Sequence, residues 1–450
     1  MNDKISLLGA GLIGSLMGVY LKKRGLDVAI YEKRRDWRKD KLAAEGRSIN
    51  MALSHRGLKA LEKAGLKEKV MPYTLPMYGR RMHDEHGNTY FQPYGKDNQA
   101  IYSVSRNTFN EILLEEADRC GANIFFNHKV ETVDVENKRV RFLLADGSTK
   151  DISSEVIIGS DGAHSSLRNA FECQTRFNYK QEYISHGYKE LRIPPTADGG
   201  FAMDPEALHI WPRGRFMLIA LPNLDKSFTC TLFLPFEGYK VCFEKIHDGK
   251  DAEYIFQTYF NDAYHLMPDL AEEYDRNPTA ALINTECYPW TVNNCLLIGD
   301  AAHAIVPFYG QGMNCGFEDC NILDELIGKF GTFSWDLVFE KFQKIRKPDT
   351  DAISTLAMEN FVEMSDSMAD PKFLIRKKIE AKLHELFPDE WVPLYSMVTF
   401  TDMSYSEAYA QGKLQEQIMD EVMRDPMISH KWDSLDFENI LNRVDAVRSV

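Results

Sequence analysis

Two glycine-rich segments carry the residue types and spacings from which chemistry can be read. Gly9-Ala10-Gly11-Leu12-Ile13-Gly14 lies between a short apolar run and a helical pattern, with Glu32 eighteen residues after the last glycine. Glycines at this spacing let a backbone approach a pyrophosphate. A helix start adds orphan N–H donors and a positive dipole end, and an acid at this distance takes ribose hydroxyls. Nearly 300 residues later, Gly299-Asp300-Ala301-Ala302-His303 leads into Pro307-Phe308-Tyr309-Gly310-Gln311-Gly312-Met313-Asn314. Asp300 stands where a carboxylate caps a helix or meets a ribityl chain. The helix start at Gly312–Asn314 offers N–H groups to a ring carbonyl. Two such elements so far apart point to both ends of the chain closing on one long ligand, and FAD is the candidate.

Other segments leave alternatives open. Gly159-Ser160-Asp161-Gly162-Ala163-His164-Ser165-Ser166 reads as a third strand-to-helix connection, with Asp161 as a turn or cap residue. Gly46-Arg47-Ser48-Ile49-Asn50 is polar, and Arg106 opens a helix after Ser105. Arg80-Arg81-Met82-His83 precedes a hairpin ending at Pro93-Tyr94-Gly95. A basic side chain there serves equally as an exposed cation or as a bidentate clamp on a substrate carboxylate. No nucleophile–base order, metal box or acid pair stands out, which suits chemistry carried by a cofactor. The expected metal set is therefore none, and no acid–base residue is assigned.

The elements that position these residues follow from pattern. Ile5–Leu8, the helix from Leu12 to Arg24 with Gly25 as its cap, and Val28–Tyr31 form a βαβ unit, hence a parallel sheet. His55 to Leu66 and Thr108 to Cys120 read as amphipathic helices. Lys138–Leu144 reads as a meander strand, and Glu155–Gly159 as a buried central strand. From about 180 to 290 the texture is antiparallel, with strands at Tyr188–Ile193, Leu208–Trp211, Phe216–Leu221 and Phe228–Leu234. Residues 295–299 return to the buried parallel type, and the chain from Gly312 on is mainly helical.

Composition narrows the partners. The 450 residues carry 53 basic and 67 acidic side chains, a formal charge of −14, which argues against nucleic acid or an anionic membrane. An aromatic share of 12% suits an apolar pocket for a flat ligand. The eight cysteines show neither Cys-x-x-Cys nor zinc spacing, so reduced thiols in the cytoplasm are expected. No stretch reads as a membrane span, and the apolar N-terminus has its basic residues after the run rather than before it.

Taken together, the three glycine-rich elements resemble the group A aromatic hydroxylases, the single-component FAD monooxygenases. The stretches Gly46 to Gly57, His209 to Arg213, Ser227 to Leu232 and Gly299 to Cys320 are similar to the branch of that family acting on kynurenine. The likeness runs over roughly residues 4 to 410. It implies an α/β fold with a Rossmann-like, p-hydroxybenzoate hydroxylase-like FAD-binding domain in three pieces (1–75, 98–180 and 288–345). An antiparallel-sheet substrate domain (76–97 and 181–287) and a C-terminal helical region (346–450) complete it. It implies cofactor contacts from Gly9, Gly11, Leu12, Ile13, Gly14, Glu32, Lys33, Arg34, Ala52, Arg106, Asp161, Asp300, Gly312, Met313 and Asn314.

The resemblance further implies a substrate clamp of Arg80 and Tyr94, with Asn360 and Tyr395 contributed by C-terminal helices. The apolar lining it implies is Ile219, Leu221, Phe233, Pro307, Phe308 and Met364. The implied activity is hydroxylation of L-kynurenine to 3-hydroxy-L-kynurenine, with FAD as cofactor and NADPH and molecular oxygen as co-substrates. Its place would be tryptophan degradation and pyridine-nucleotide biosynthesis. Another hydroxylase or halogenase of the same fold, or a non-catalytic flavin sensor, is the competing reading. The chain departs from the family at Cys315, where alanine is usual, and ends in Asp-Ala-Val-Arg-Ser-Val without the transmembrane anchor of eukaryotic members. A soluble bacterial form, monomer or homodimer, is the resulting expectation.

Overall fold

The structure is a computed structural model, and it describes residues 4–39, 50–95, 98–366 and 371–448. Gly46 to Ile49, with Arg47, lie outside the described residues. Side chains at some helical positions, Met364 among them, are also outside them.

A six-stranded sheet runs in the order Thr291–Val292, Cys295–Leu297, Val156–Gly159, Lys4–Leu8, Asp27–Tyr31, Asn123–Phe125. The central strands pair in parallel, with Leu8 opposite both Gly159 and Tyr31, and Gly159 opposite Leu297. The connections following Lys4–Leu8, Val156–Gly159 and Cys295–Leu297 therefore leave the same edge of the sheet. Those are the three glycine-rich segments. Apart from exposed Lys4 and polar Ser6, their strands are buried apolar runs because helices cover the sheet, chiefly Leu12–Lys23, Arg106–Arg119 and Gly312–Phe330. Leu16, Val19, Phe109, Leu113, Phe317 and Leu323 supply the covering face, each fully buried side chain contributing about 1.5–3 kcal/mol.

A second sheet has seven strands, in the order Ala280–Tyr288, Asn178–Ile193, Phe228–Pro235, Met217–Pro222, Ala207–Pro212, Gly79–His83, Thr89–Pro93. It is antiparallel except where Gly79–His83 lies parallel to Ala207–Pro212, Leu208 opposite Arg80. Two corrections to the sequence reading arise here. The strand expected at Tyr188–Ile193 begins ten residues earlier, at Asn178. The region also holds the helices Gly249–Tyr259, Asn261–Tyr264 and Leu270–Arg276, which close one face of the sheet through Phe256, Phe260 and Leu270. The amphipathic stretch 55–66 is a helix only over His55–Lys63, and Arg106 opens its helix after Ser105 as expected.

The Gly79–His83 strand is fastened at its far end by a buried histidine chain. His83 Nδ1 lies 2.7 Å from Asp262 Oδ2, and its Nε2 lies 2.8 Å from His209 Nδ1. His209 Nε2 lies 2.8 Å from the Asp204 carbonyl and must donate to it, so His209 Nδ1 accepts from His83. Burial pushes the His209 pKa down to about 4. An unfolded histidine titrates near 6.5, so between these values the unfolded chain binds more protons and stability falls as pH falls. The expected loss from this group is about 2 kcal/mol between pH 7 and pH 5. His209→Asn keeps an acceptor for His83 and removes the titration. Denaturation at both pH values should show a correspondingly smaller difference for the variant than for the wild type.

Candidate active site

The three glycine-rich connections meet. Gly9, at φ +100°, approaches Ser160 so closely that a Cβ would lie 2.7 Å from the Ser160 carbonyl oxygen. A Cβ on Gly14 would lie 2.0 Å from the Gly9 oxygen, so only glycine fits there. Gly11 differs, because nothing lies within 4 Å of its Cβ position although it caps the helix Leu12–Lys23. Tight backbone on two sides and open space at the N-cap is the cradle a pyrophosphate needs. Ile13, in the first turn, packs on Gly299 and Gly316, joining the first motif to the last.

Around this cradle, Glu32 is buried and accepts from Ala10 N at 2.9 Å and Arg34 Nε at 2.8 Å. Burial alone would raise its pKa, but the Arg34 guanidinium and the two backbone donors hold it below the usual carboxylate range. It is thus an ionised acceptor beside the glycine turn. Lys33 and Arg34 are exposed beyond it, and Arg106 is exposed at its helix start. Asp161 Oδ2 accepts from Ser166 N at 2.7 Å, at the start of a helix whose N-cap is Ser165, while Oδ1 is buried with no partner among the described residues.

Asp300 is the exposed first residue of the helix Asp300–His303, whose N-cap is Gly299, so it is not the cap. Asn314 is fully buried, and its amide is committed to the protein: Oδ1 accepts from Ser54 N, and Nδ2 donates to the Ala52 and Gly310 carbonyls. What it and its neighbours offer a ligand is backbone. Gln311 O takes the N–H of Cys315, leaving those of Gly312, Met313 and Asn314 at the open end of the helix. An ionised acid, an orphaned buried carboxylate oxygen, a glycine cradle and a free helix start fit a dinucleotide carrying an electron-poor ring.

Some of the remaining predicted residues form a second group beside the first. Strand alternation separates the two arginines of Gly79–His83. Arg81 pairs with Asp204 at 2.7 Å, whereas Arg80 turns inward, 4.5 Å over the Tyr395 ring and 5.7 Å from that of Tyr94. Tyr94 and Tyr395 stack at 5.4 Å. Arg80 Nε and Tyr94 Oη are both buried with no hydrogen-bond partner among the described residues. Burial works against the charge on Arg80, but the two phenols more than offset it, and its pKa is raised. Burial raises that of Tyr94, which stays a neutral donor.

Next to this pair the wall is apolar. Leu221 and Ile219 pack with Tyr94 and Tyr395, and Ile219 continues to Phe233 and Phe308, whose rings lie 5.2 Å apart. Asn360 Nδ2 donates to the Phe308 carbonyl at 2.7 Å, so it fixes the loop, and Pro307 at that loop's start is exposed. Sequence reasoning missed Tyr309, 5.7 Å from Tyr395, and Phe361, 4.6 Å from Phe308. Phe361 was within reach, because it follows Ala357 by one helical turn on the face that Asn360 borders.

Comparison with known proteins bears on this arrangement. A family described as FAD binding domain matches residues 4–233 and 243–330. The chain is 46% identical over 436 residues to kynurenine 3-monooxygenase of Christiangramia forsetii, covering 96% of this chain and 97% of that protein. The chain belongs to the kynurenine 3-monooxygenase family. The enzyme of the same name from Flavobacterium johnsoniae is 45% identical over 438 residues, covering 97% of each chain. That of Sus scrofa is 43% identical over 419 residues, 92% of this chain and 88% of that one.

Among solved structures, 2-methyl-3-hydroxypyridine-5-carboxylic acid oxygenase superposes with a TM-score of 0.67 at 18% identity, over 82% of this chain and 94% of that one. PqsL, a probable FAD-dependent monooxygenase from Pseudomonas aeruginosa, does so with 0.65 at 17% identity, over 81% and 97%. These share the fold. The chain is an FAD-dependent monooxygenase of this family, and no helix among its described residues is long and apolar enough to cross a membrane.

Proposed function

We propose that the protein hydroxylates L-kynurenine to 3-hydroxy-L-kynurenine with NADPH and molecular oxygen, in the cytoplasm. The observation that carries this is the pairing of Arg80 Nε and Tyr94 Oη, buried and unpartnered, at the edge of an apolar wall. Kynurenine presents an amino-acid carboxylate at one end and an aniline ring at the other, the two chemistries that this site separates. The eight unpaired cysteines agree with a reducing compartment.

When bound, FAD supplies the redox chemistry, passing electrons from NADPH to oxygen and one oxygen atom to the substrate ring. The protein's share is placement. Arg80 and Tyr94 donate to the carboxylate, and Tyr395 stacks beside them. Ile219, Leu221, Phe233 and Phe308 hold the ring and exclude water. Glu32, Gly9–Gly14, Asp161 and Asp300 hold the dinucleotide. The N–H groups at Gly312–Asn314 would be donors to the bound flavin ring, favouring negative charge there. No side chain need take a proton from the ring carbon during attack, since the aniline nitrogen supplies the electron density ortho to itself.

The test is product analysis with the purified protein, NADPH, oxygen and kynurenine. The expected result is kynurenine-stimulated NADPH oxidation, giving one hydroxylated product, one oxygen atom heavier, per NADPH. NADPH oxidation indifferent to kynurenine but stimulated by another aromatic would replace the substrate assignment.

A further inference from the structure

The segment Ser54-His55-Arg56-Gly57 belongs to a motif singled out in the sequence, yet none of its side chains lies in the dinucleotide cradle or the carboxylate clamp. Arg56 is nevertheless 3% exposed, which requires partners. It has three. Its Nε donates to the Val398 carbonyl at 3.1 Å, one terminal nitrogen donates to the Met403 carbonyl, and the other meets Glu318 Oε1 at 2.5 Å. Val398 stands in the last turn of the helix Leu394–Phe400, whose carbonyls have no intrahelical donor. Two neighbours on the same helix as Arg56 grip the segment just after that turn: His55 Nε2 lies 2.8 Å and Lys59 Nζ 2.7 Å from Asp402 Oδ1.

The gripped helix has seven residues, too few to hold its own geometry, and it carries Tyr395. The Arg56 guanidinium also lies 3.9 Å over the ring of Tyr405, whose hydroxyl donates to Gln311 Oε1 at 2.9 Å. Gln311 caps the helix that begins at Gly312. One buried guanidinium thus touches the last turn of the helix that carries Tyr395 and, through Tyr405, reaches the N-cap residue of the helix that begins at Gly312.

We propose that Arg56 is a positioning residue for substrate binding, setting Tyr395 against Arg80 and Tyr94 from the flavin-binding side. The inference rests on the reading of that trio as the carboxylate clamp. A lysine at position 56 keeps the charge opposite Glu318 but cannot span both carbonyls. A glutamine loses the charge as well.

The test uses FAD-loaded enzyme in four forms: wild type, Arg56→Lys, Arg56→Gln, and Lys63→Ala. Lys63 sits on the same helix but pairs with the exposed Glu325. Kynurenine Kd is measured by calorimetry, with KM, kcat, flavin content and melting temperature alongside. Arg56→Gln is expected to raise Kd and KM about tenfold or more, and kcat is expected to change less. Arg56→Lys should fall between it and wild type, and Lys63→Ala should match wild type. Should Arg56→Gln fail to fold, Arg56→Lys decides alone.

Wild-type Kd in the folded Arg56 variants, with only melting temperature or flavin content lowered, would overturn the positioning role and leave a structural one. A wild type that does not bind kynurenine overturns the substrate reading itself, and the inference with it.

Discussion

Arg80→Ala should weaken kynurenine binding by about 2–4 kcal/mol, a rise in Kd of about thirtyfold to a thousandfold. The reason lies in the surroundings rather than in the charge alone. Arg80 Nε and Tyr94 Oη are buried without hydrogen-bond partners among the described residues, and each can donate to a carboxylate. Removing the guanidinium would leave a substrate carboxylate desolvated against two tyrosine rings with only hydroxyls to meet it. The neighbouring Arg81 makes the control. Its bond to Asp204 is partly solvent-exposed, and such pairs contribute about 0–1 kcal/mol, so Arg81→Ala should leave kynurenine affinity near wild type. Calorimetric titration of both variants separates the cases. Unchanged affinity in Arg80→Ala would place the carboxylate elsewhere, while equal losses in both would point to a general fault in the Gly79–His83 strand.

That contrast marks where the sequence stops being legible. Gly9, Gly14 and Glu32 were readable because their demands are local: a turn that admits no Cβ, and an acid one strand away. Arg80 and Arg81 are adjacent identical residue types, and only the pleat decides which one faces the tyrosine pair and the apolar wall. The strand start at Asn178 was invisible because residues 178–183 are mostly polar and none is buried, next to the edge strand Ala280–Tyr288. The helix Gly249–Tyr259 did carry a signal, Asp248, whose carboxylate accepts from Lys250 N and Asp251 N as an N-cap, within a stretch otherwise read for strands. Least legible were the long-range polar links. His83, His209 and Asp262 span 179 residues, and Arg56, Glu318 and Arg346 sit on three separate helices. Partners that meet only after folding leave no spacing to recognise.

Arg346→Met, in the densest of those links, should destabilise the protein by about 3–5 kcal/mol. Arg346 is fully buried and binds Asp319 Oδ1 at 2.8 Å, Glu318 Oε2 at 2.8 Å and Asp349 Oδ2 at 3.2 Å. Asp319 is equally buried, and its other oxygen accepts from Gly299 N at 3.0 Å and meets His303 Nε2 at 2.6 Å. Burial raises the Asp319 pKa, yet His303 and Arg346 together hold it below its ordinary value. A carboxyl so depressed contributes stability that is present above its unfolded pKa near 3.9 and is lost as pH falls through its lower folded value. Without Arg346 the folded value rises, so this contribution shrinks and Asp319 takes up its proton at higher pH, weakening its hold on the Gly299 amide there. Because Asp319 holds the Gly299 amide one residue before Asp300, loosening should reach the dinucleotide site. Flavin fluorescence should therefore report FAD release from Arg346→Met in mild acid that the wild type withstands.

The double variant Arg346→Met, Asp319→Leu separates fold from site. Replacing both buried partners by apolar side chains should restore part of the stability, since Asp319 is no longer left charged and alone, while Glu318 keeps Arg56 and Asp349 keeps its bonds from Ser406. The Gly299 amide stays without its acceptor, so FAD retention should remain impaired. Recovery of FAD retention together with stability would mean that the buried network supports the fold only, and that the turn before Asp300 holds its shape unaided.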